Sequence, residues 1–161
     1  MAESTKTITG ELIVKDQHFA VIVSRFNEFI STRLLNAALD ELQRHGCSLE
    51  NITVIRVPGA WELPITAKRA ASSGKFDAVI CLGCVIRGDT PHFDYIASET
   101  AKGIAHVGMD ASLPVIFGVL TTDTLDQAIN RAGAKSGNKG ADAARAAIEM
   151  VNLFDQLDNQ K

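Results

Sequence analysis

The sequence predicts an α/β fold, a three-layer αβα sandwich in which helices cover both faces of a four-stranded parallel sheet. Apolar segments of strand length alternate with segments in which apolar residues recur at helical spacing, and the connections between them are short. The longest strand-like segment, 76–86, is apolar almost throughout, as a parallel strand covered on both faces should be. Because parallel strands are joined by right-handed crossovers, helices are expected on both sides of the sheet.

The four strands are expected, in chain order, at 19–23, 52–57, 76–86 and 114–120. A short N-terminal strand is also expected at residues 12–14, where Leu, Ile and Val follow one another. The sequence does not indicate which strand this segment would pair with.

A helical segment follows each of the four strands, and a further helix ends the chain. Asn27 is expected to cap the first helix, which ends at Gly46. The second follows Pro58, and the third begins at about His92. Thr124-x-x-Gln127 is a capping box that opens a short fourth helix, and the loop 134–138 leads to the last one.

The chain of 161 residues is expected to form one domain, 1–161, with a flexible polar segment at 1–10. A net charge of −3 with scattered basic residues gives no reason to expect nucleic acid as a partner. The longest apolar run, 79–86, is too short for a membrane helix, and 1–10 has no apolar signal-peptide core. The cytoplasm is therefore the expected location.

Cysteine usage predicts reduced thiols and no metal site. Cys47, Cys81 and Cys84 cannot all pair, as is usual in a reducing compartment. Cys81-x-x-Cys84 has the spacing of a redox or zinc motif, but both residues fall inside a predicted strand. Residues three apart in a strand point to opposite faces, so we expect these side chains to be small apolar core residues.

The candidate site is the turn between the third strand and the third helix. Gly88 is expected to free the backbone to turn, Thr90 to cap the helix and Pro91 to occupy its first position. The free amides of a helix start attract phosphate, and His92 in the same turn can exchange protons near neutral pH.

The neighbouring strand ends extend this site. In an open parallel sheet, ligands bind beyond the carboxyl ends of the strands. Those ends here carry Phe26, then 60–62, then 84–86, which are unusually aromatic and polar for connecting segments. We therefore expect a site for a flat polar ring together with an anion.

Common nucleotide-binding motifs are absent from the sequence. No G-x-G-x-x-G opens a helix, and 133–140 fails the triphosphate-loop pattern because Asn138 replaces its second glycine. The segment 24–26 supplies neither the hydroxyl-rich loop of an electron carrier nor the acidic pair of a phospho-accepting receiver.

Five segments in register resemble the 6,7-dimethyl-8-ribityllumazine synthases, enzymes of the penultimate step of riboflavin biosynthesis. They are SRFN at 24–27, VPGAWELP at 57–64, IRGDTPHFDY at 86–95, FGVLT at 117–121 and the glycine-rich segment 131–140. The likeness extends from about residue 10 to residue 155.

The resemblance implies a flavodoxin-like fold and a transferase activity without metal or cofactor. The reaction would condense 5-amino-6-(D-ribitylamino)uracil with 3,4-dihydroxy-2-butanone 4-phosphate, through an imine, loss of phosphate and ring closure. It also implies a homo-oligomer, a pentamer that in many members forms an icosahedral shell of sixty subunits, with riboflavin synthase as a candidate partner inside it.

The resemblance assigns a role to each site residue. His92 would transfer protons. Thr90 and Arg131 would bind the butanone phosphate, and Asp89 would bind it through its backbone amide. The aminouracil would contact Phe26, Ala60, Trp61, Glu62, Cys84, Val85, Ile86 and Phe117. Phe117 and Arg131 would reach the site from a neighbouring subunit, which accounts for the position of Arg131 after a helix.

Two alternatives keep the fold without the chemistry. One is a shell or flavin-storage protein that has lost catalysis, which the presence of Phe26, His92 and Arg131 argues against. The other is a carrier of flavin mononucleotide, which would require tight flavin binding. The remaining histidines, His18, His45 and His106, are expected to be structural or solvated.

Overall fold

A computed structural model describes residues 4–135 and 137–160 of the chain. Its sheet has four parallel strands in the order β2-β1-β3-β4. They are β1 (Phe19–Ser24), β2 (Ile52–Val57), β3 (Ala78–Ile86) and β4 (Val115–Thr122). The predicted four-stranded parallel sheet is confirmed, and each strand lies within two residues of its expected bounds.

Five α-helices are present among the described residues. They are α1 (Glu28–Arg44), α2 (Leu63–Ala71), α3 (His92–Ala111), α4 (Leu125–Arg131) and α5 (Lys139–Asp158). None of them is long and apolar enough to cross a membrane. Helices α1 and α5 pack together on one face of the sheet, and α2 and α3 pack together on the other, which confirms the three-layer arrangement.

Both faces of the central strands are buried, which explains their continuous apolar sequence. Alternate residues of β1 enter separate cores: Val21 and Val23 lie under α1 and α5, whereas Ala20 and Ile22 lie under α2 and α3. Strand β2 is at the edge of the sheet and is more exposed. The carboxyl ends of β1, β2 and β3 lie together at one edge of this well-packed sheet.

The short strand expected at residues 12–14 is not formed, since the described segment 4–18 contains no strand. The side chain of Asn152 on α5 donates hydrogen bonds to the carbonyl oxygens of Glu11 (2.6 Å) and Ile13 (2.9 Å). Gln17 donates in turn to the Asn152 carboxamide oxygen at 3.0 Å. Backbone groups that a strand partner would need are therefore bound by a helix side chain.

The segment 1–10, expected to be flexible, is described only from residue 4, and residues 1–3 lie outside the described residues. Gln156 of α5 donates a hydrogen bond to the Thr9 carbonyl at 2.8 Å. Gly10 packs so closely on the Glu149 carbonyl that a Cβ would collide with it. The end of this segment therefore lies against α5.

Candidate active site

A cavity of about 470 Å³ lies at the carboxyl ends of β1, β2 and β3. It brings together most of the residues that the sequence analysis assigned to the site. Its lining includes Phe26, Ala60, Trp61, Glu62, Cys84, Val85, Ile86, Thr90 and His92. Residues separated by more than sixty positions in the sequence thus share one pocket, because parallel crossovers bring successive strand ends to the same edge.

Three of the expected site residues do not line this cavity. Asp89 is exposed on the turn beside it. Phe117 and Arg131 line a second hollow of about 430 Å³ beside β4, together with Lys139 and Asp142. Within one chain the expected site is therefore divided between two places.

Phe26 forms an aromatic edge of the cavity. Its side chain is 72% exposed and lies at the cavity. The backbone around it is held: the N–H groups of Arg25 and Phe26 donate to the carbonyls of Val57 (2.8 Å) and Pro58 (3.0 Å). A fixed, uncovered aromatic face suits stacking on a planar ligand.

Asn27 has a role that the sequence analysis missed. It precedes α1, but its side chain makes no capping hydrogen bond and its backbone is left-handed (φ 59°, ψ 48°). Its carboxamide instead donates to the Cys84 carbonyl at 2.9 Å, which ties the loop after β1 to the end of β3. Asparagine is one of the few residues that adopt the left-handed conformation readily, and its presence at this position is the only sequence feature that indicates this role.

The turn at Ala60–Glu62 is held in place from both sides. One carboxylate oxygen of Glu62 accepts a hydrogen bond from the Gly59 N–H at 3.1 Å. The hydroxyl of the buried Thr100 on α3 donates to the Ala60 carbonyl at 3.3 Å. Because a carboxylate accepts several hydrogen bonds, Glu62 retains capacity for the hydroxyl groups of a ligand.

The turn before α3 differs in detail from expectation. Pro91 precedes the helix, which begins at His92, and the Thr90 hydroxyl lies a long 3.5 Å from the His92 N–H, so the expected cap is weak. Gly88 does not have a positive φ, so the expected need for glycine's backbone freedom is wrong. A Cβ there would meet nothing within 4 Å, and its absence leaves the backbone of the cavity wall uncovered.

The cysteines are structural, as predicted. Cys81 belongs to the core under α2 and α3, and Cys84 to the core under α1 and α5, so their side chains lie on opposite faces. Burial raises the pKa of Cys84 to about 11 and that of Cys81 to about 12. Neither thiol is a nucleophile near neutral pH. Across residues 4–135 and 137–160, no group of three His, Cys, Asp or Glu is arranged to hold a metal ion.

The fold and the cavity together define an α/β enzyme for small molecules. The cavity offers an aromatic face, a carboxylate, an imidazole and the uncovered start of a helix. Comparison with known proteins gives the particular family. The sequence model of the 6,7-dimethyl-8-ribityllumazine synthases matches residues 16–155.

A protein of Desulfatibacillum aliphaticivorans with the name 6,7-dimethyl-8-ribityllumazine synthase is 60% identical over 152 residues. These residues cover 94% of this chain and 98% of that protein. The chain belongs to the 6,7-dimethyl-8-ribityllumazine synthase family.

Proposed function

We propose that this protein condenses 5-amino-6-(D-ribitylamino)uracil with 3,4-dihydroxy-2-butanone 4-phosphate to 6,7-dimethyl-8-ribityllumazine, releasing phosphate and water. Family membership supports this reaction. The observation that carries the assignment of the site is a single cavity lined by Phe26, Glu62 and His92, which supply a stacking face, a hydroxyl-binding carboxylate and a proton carrier.

The aminouracil is proposed to lie across the strand ends. Its pyrimidine ring stacks on the exposed face of Phe26. Its ribityl chain follows the segments 60–62 and 84–86, where backbone groups and the Glu62 carboxylate meet its hydroxyls. Trp61 and Val85 belong to the same two segments and complete the walls.

The butanone phosphate is proposed to bind at the start of α3. The first amides of a helix have no intrahelical partner and attract anions. Thr90 adds its hydroxyl, and Gly88 lets the phosphate approach the backbone. Asp89 contributes its backbone amide, because its carboxylate would repel the phosphate.

His92 is proposed to transfer the protons of the reaction. The 5-amino group attacks the ketone and loses water to give an imine, phosphate is eliminated, and the second nitrogen closes the ring with loss of another water. Imine formation and ring closure move protons between nitrogen and oxygen atoms, and elimination of phosphate removes a proton from the carbon next to the imine. His92 lies on the cavity wall beside the phosphate-binding turn, so one imidazole can serve several of them.

Phe117 and Arg131 are proposed to act in the cavity of an adjacent subunit. Their hollow is separate from the cavity of their own chain, and both are accessible, with Phe117 38% exposed. A guanidinium binds phosphate oxygens through two parallel hydrogen bonds. Placed over the Gly88 to Thr90 turn of a neighbour, this hollow would close the ring and phosphate sites together.

The family assignment implies an oligomeric enzyme with small-molecule substrates. The proposed assembly is a pentamer, and the uninterrupted glycine-rich segment 133–140 favours a sixty-subunit shell, located in the cytoplasm. Residue 136 of this segment lies outside the described residues. Mass measurement on the native particle distinguishes five subunits from sixty.

The activity assay mixes both substrates with the purified protein and follows lumazine fluorescence and free phosphate. We expect the two products in equal amounts, at a rate well above that of the spontaneous reaction in buffer or with heat-denatured protein. No acceleration would sink the proposal and favour a shell without catalysis. Titration with flavin mononucleotide tests the carrier alternative, for which only weak binding is expected.

A further inference from the structure

Arg87 contacts two separate segments at the edge of the candidate site. Its Nε donates to the Asp123 carboxylate at 2.9 Å, and its Nη1 lies 3.2 Å from a carboxylate oxygen of Asp94. Its guanidinium carbon is 4.4 Å from the centre of the Phe93 ring. Its backbone N–H donates to the Thr122 carbonyl at 2.9 Å. All four contacts are made with residues outside β3 and the turn in which Arg87 lies.

These contacts join the turn that presents His92 to the connection that leads to Arg131. Phe93 and Asp94 directly follow His92 in the first turn of α3. Asp123 lies between β4 and α4, and its own N–H donates to Gln127 of α4 at 2.8 Å. Arg87 therefore holds the start of α3 against the segment on which Arg131 depends.

Arg87 does not line the cavity, although Ile86 and Gly88 on either side of it do. Its guanidinium is occupied by two carboxylates, so it does not face a substrate phosphate. The carboxylates of Asp94 and Asp123 also compensate the positive charge of Arg87 near the start of α3, where the helix dipole disfavours a cation.

The contacts are better suited to orientation than to stability. The side chains of Arg87, Asp94 and Asp123 are 44%, 59% and 66% exposed, and exposed ion pairs contribute little to folding. A planar guanidinium, however, donates its hydrogen bonds only in fixed directions. Three side-chain partners from two segments therefore restrict how those segments lie relative to each other.

We infer that Arg87 is a positioning residue, which fixes the first turn of α3 and with it the imidazole of His92 without touching substrate. This inference rests on the proposed proton-transfer function of His92. The reason to expect a measurable effect is that a displacement of about 1 Å at a reacting group can slow a reaction by up to ~100-fold.

Arg87→Ala should lower kcat roughly tenfold while KM for both substrates stays within about twofold. Arg87→Lys keeps the positive charge but loses the planar guanidinium group, so its kcat should lie between that of the wild type and that of Arg87→Ala. Arg44→Ala is the matched control, because Arg44 is also an exposed arginine paired with an aspartate, Asp40, at 2.7 Å on the outer helix α1. It should leave kcat and KM unchanged.

A double mutant separates positioning from a general structural effect. If Arg87 acts through His92, adding Arg87→Ala to His92→Ala should cost less than about twofold in kcat. A full additional tenfold loss would overturn the inference. So would an increase in KM for the butanone phosphate with kcat unchanged, since that would make Arg87 a direct ligand.

Hydrogen exchange gives a readout that does not depend on activity. Amides of the segment 88–97 should exchange faster in assembled Arg87→Ala than in the wild type, whereas α5 should not change. The inference would be overturned if the amides of 88–97 exchanged at the same rate in Arg87→Ala and in the wild type. If Arg87→Ala does not assemble, Asp123→Ala, which removes one partner of the guanidinium, is measured in the same way and should show a smaller effect of the same kind.

The two proposals fail in different ways. A wild-type protein that does not accelerate the condensation refutes the proposed function, and exchange alone then decides the role of Arg87. An active wild type with an equally active and equally protected Arg87→Ala variant refutes the inference on Arg87 alone.

Discussion

The carboxamide of Asn27 donates a hydrogen bond to the carbonyl oxygen of Cys84, with 2.9 Å between nitrogen and oxygen. The bond joins two residues that line the cavity and are 57 positions apart in the sequence. Asn27 makes it from a left-handed backbone conformation, which most other residues adopt only at a cost. Asn27 thus serves two purposes: it adopts the backbone conformation that the loop after β1 requires, and its side chain links that loop to the end of β3.

Two substitutions separate these contributions. Asn27→Gly keeps the left-handed backbone but loses the hydrogen bond, whereas Asn27→Ala loses both. Both should raise KM for the aminouracil, and the alanine variant should be less stable than the glycine variant by about 1 kcal/mol. Thermal unfolding at equal protein concentration measures the difference. Equal melting temperatures for the two variants would contradict the role of the backbone.

His92→Ala should reduce kcat by about 10²- to 10⁴-fold, the usual contribution of a positioned proton-transfer group. KM for both substrates should change little, because the ring and phosphate sites remain. His106→Ala is a suitable control, since His106 is exposed on the same helix outside the cavity. Full turnover by His92→Ala would assign proton transfer to another group.

Arg131→Ala should chiefly raise KM for the butanone phosphate, because a charged anchor is lost. If the site is shared between subunits, two variants that are each weak at low butanone phosphate concentration should complement each other. In an equal random mixture of His92→Ala and Arg131→Ala chains, about one quarter of the sites pair an intact His92 with an intact Arg131.

Co-assembly of the two variants should therefore restore about a quarter of wild-type activity under conditions where each alone is weak. The control mixes particles that were assembled separately, so that no particle contains both kinds of chain, and it should stay as weak as either variant alone. Absence of restoration in co-assembled particles would show that Arg131 does not complete the site of a neighbouring chain.

Gly88 and Gly74 should respond to alanine in opposite ways. Gly88 has no positive φ and space around it, so Gly88→Ala should keep its stability but raise KM for the butanone phosphate. Gly74 also has space, but its φ is +74°, so Gly74→Ala should lose about 1 kcal/mol of stability with normal kinetics. Urea unfolding and steady-state kinetics on both variants provide the test. A destabilised Gly88→Ala with unchanged KM would contradict the anion site.

Burial of the cysteines predicts both reactivity and pH dependence. With a pKa of about 11, roughly one Cys84 thiol in a thousand is ionised at pH 8, and its side chain is 2% exposed. Iodoacetamide at pH 8 should leave Cys81 and Cys84 unmodified until the protein is unfolded in urea. Rapid labelling of the native protein would contradict the packing.

The same shifts set a direction for stability. Folding raises the pKa of both thiols above their ordinary value of 9.0, so the unfolded chain ionises first. Their contribution to stability is complete below pH 9 and is lost as the pH rises toward 11 to 12. The free energy of unfolding, measured between pH 9 and 11, should fall less steeply in Cys84→Ala.

Local patterns were sufficient for the regular elements. The strand β2 has the predicted bounds, Ile52–Val57, and half of the capping box before α4 is formed. The Thr124 hydroxyl accepts from the Gln127 N–H at 3.1 Å, whereas the Gln127 side chain accepts from the N–H of Asp123 and not from that of Thr124. Both depend on residues within a few positions of one another. Errors arose where a local group had a distant partner: Asn27 bonds Cys84 instead of its helix, and Asn152 binds the backbone of Ile13.

Arg87 illustrates the same limit at the site. In the sequence Arg87 stands beside Gly88 and Asp89 in the turn after β3. Its pairing with Asp123, 36 positions away, depends on the strands β3 and β4 being neighbours. No pattern within the turn indicates that partner.

The sequence by itself determined the order of the strands and helices, the types of side chain at the strand ends, and through its motifs the family. Those properties follow from local periodicity and from residue chemistry. Only the tertiary structure decided that the strands lie in the order β2-β1-β3-β4, and which side chains meet across the strand ends, as Asn27 meets Cys84 and Arg87 meets Asp123. The reason is physical: adjacency of strands is set by long-range packing of both faces of the sheet, which no short segment contains.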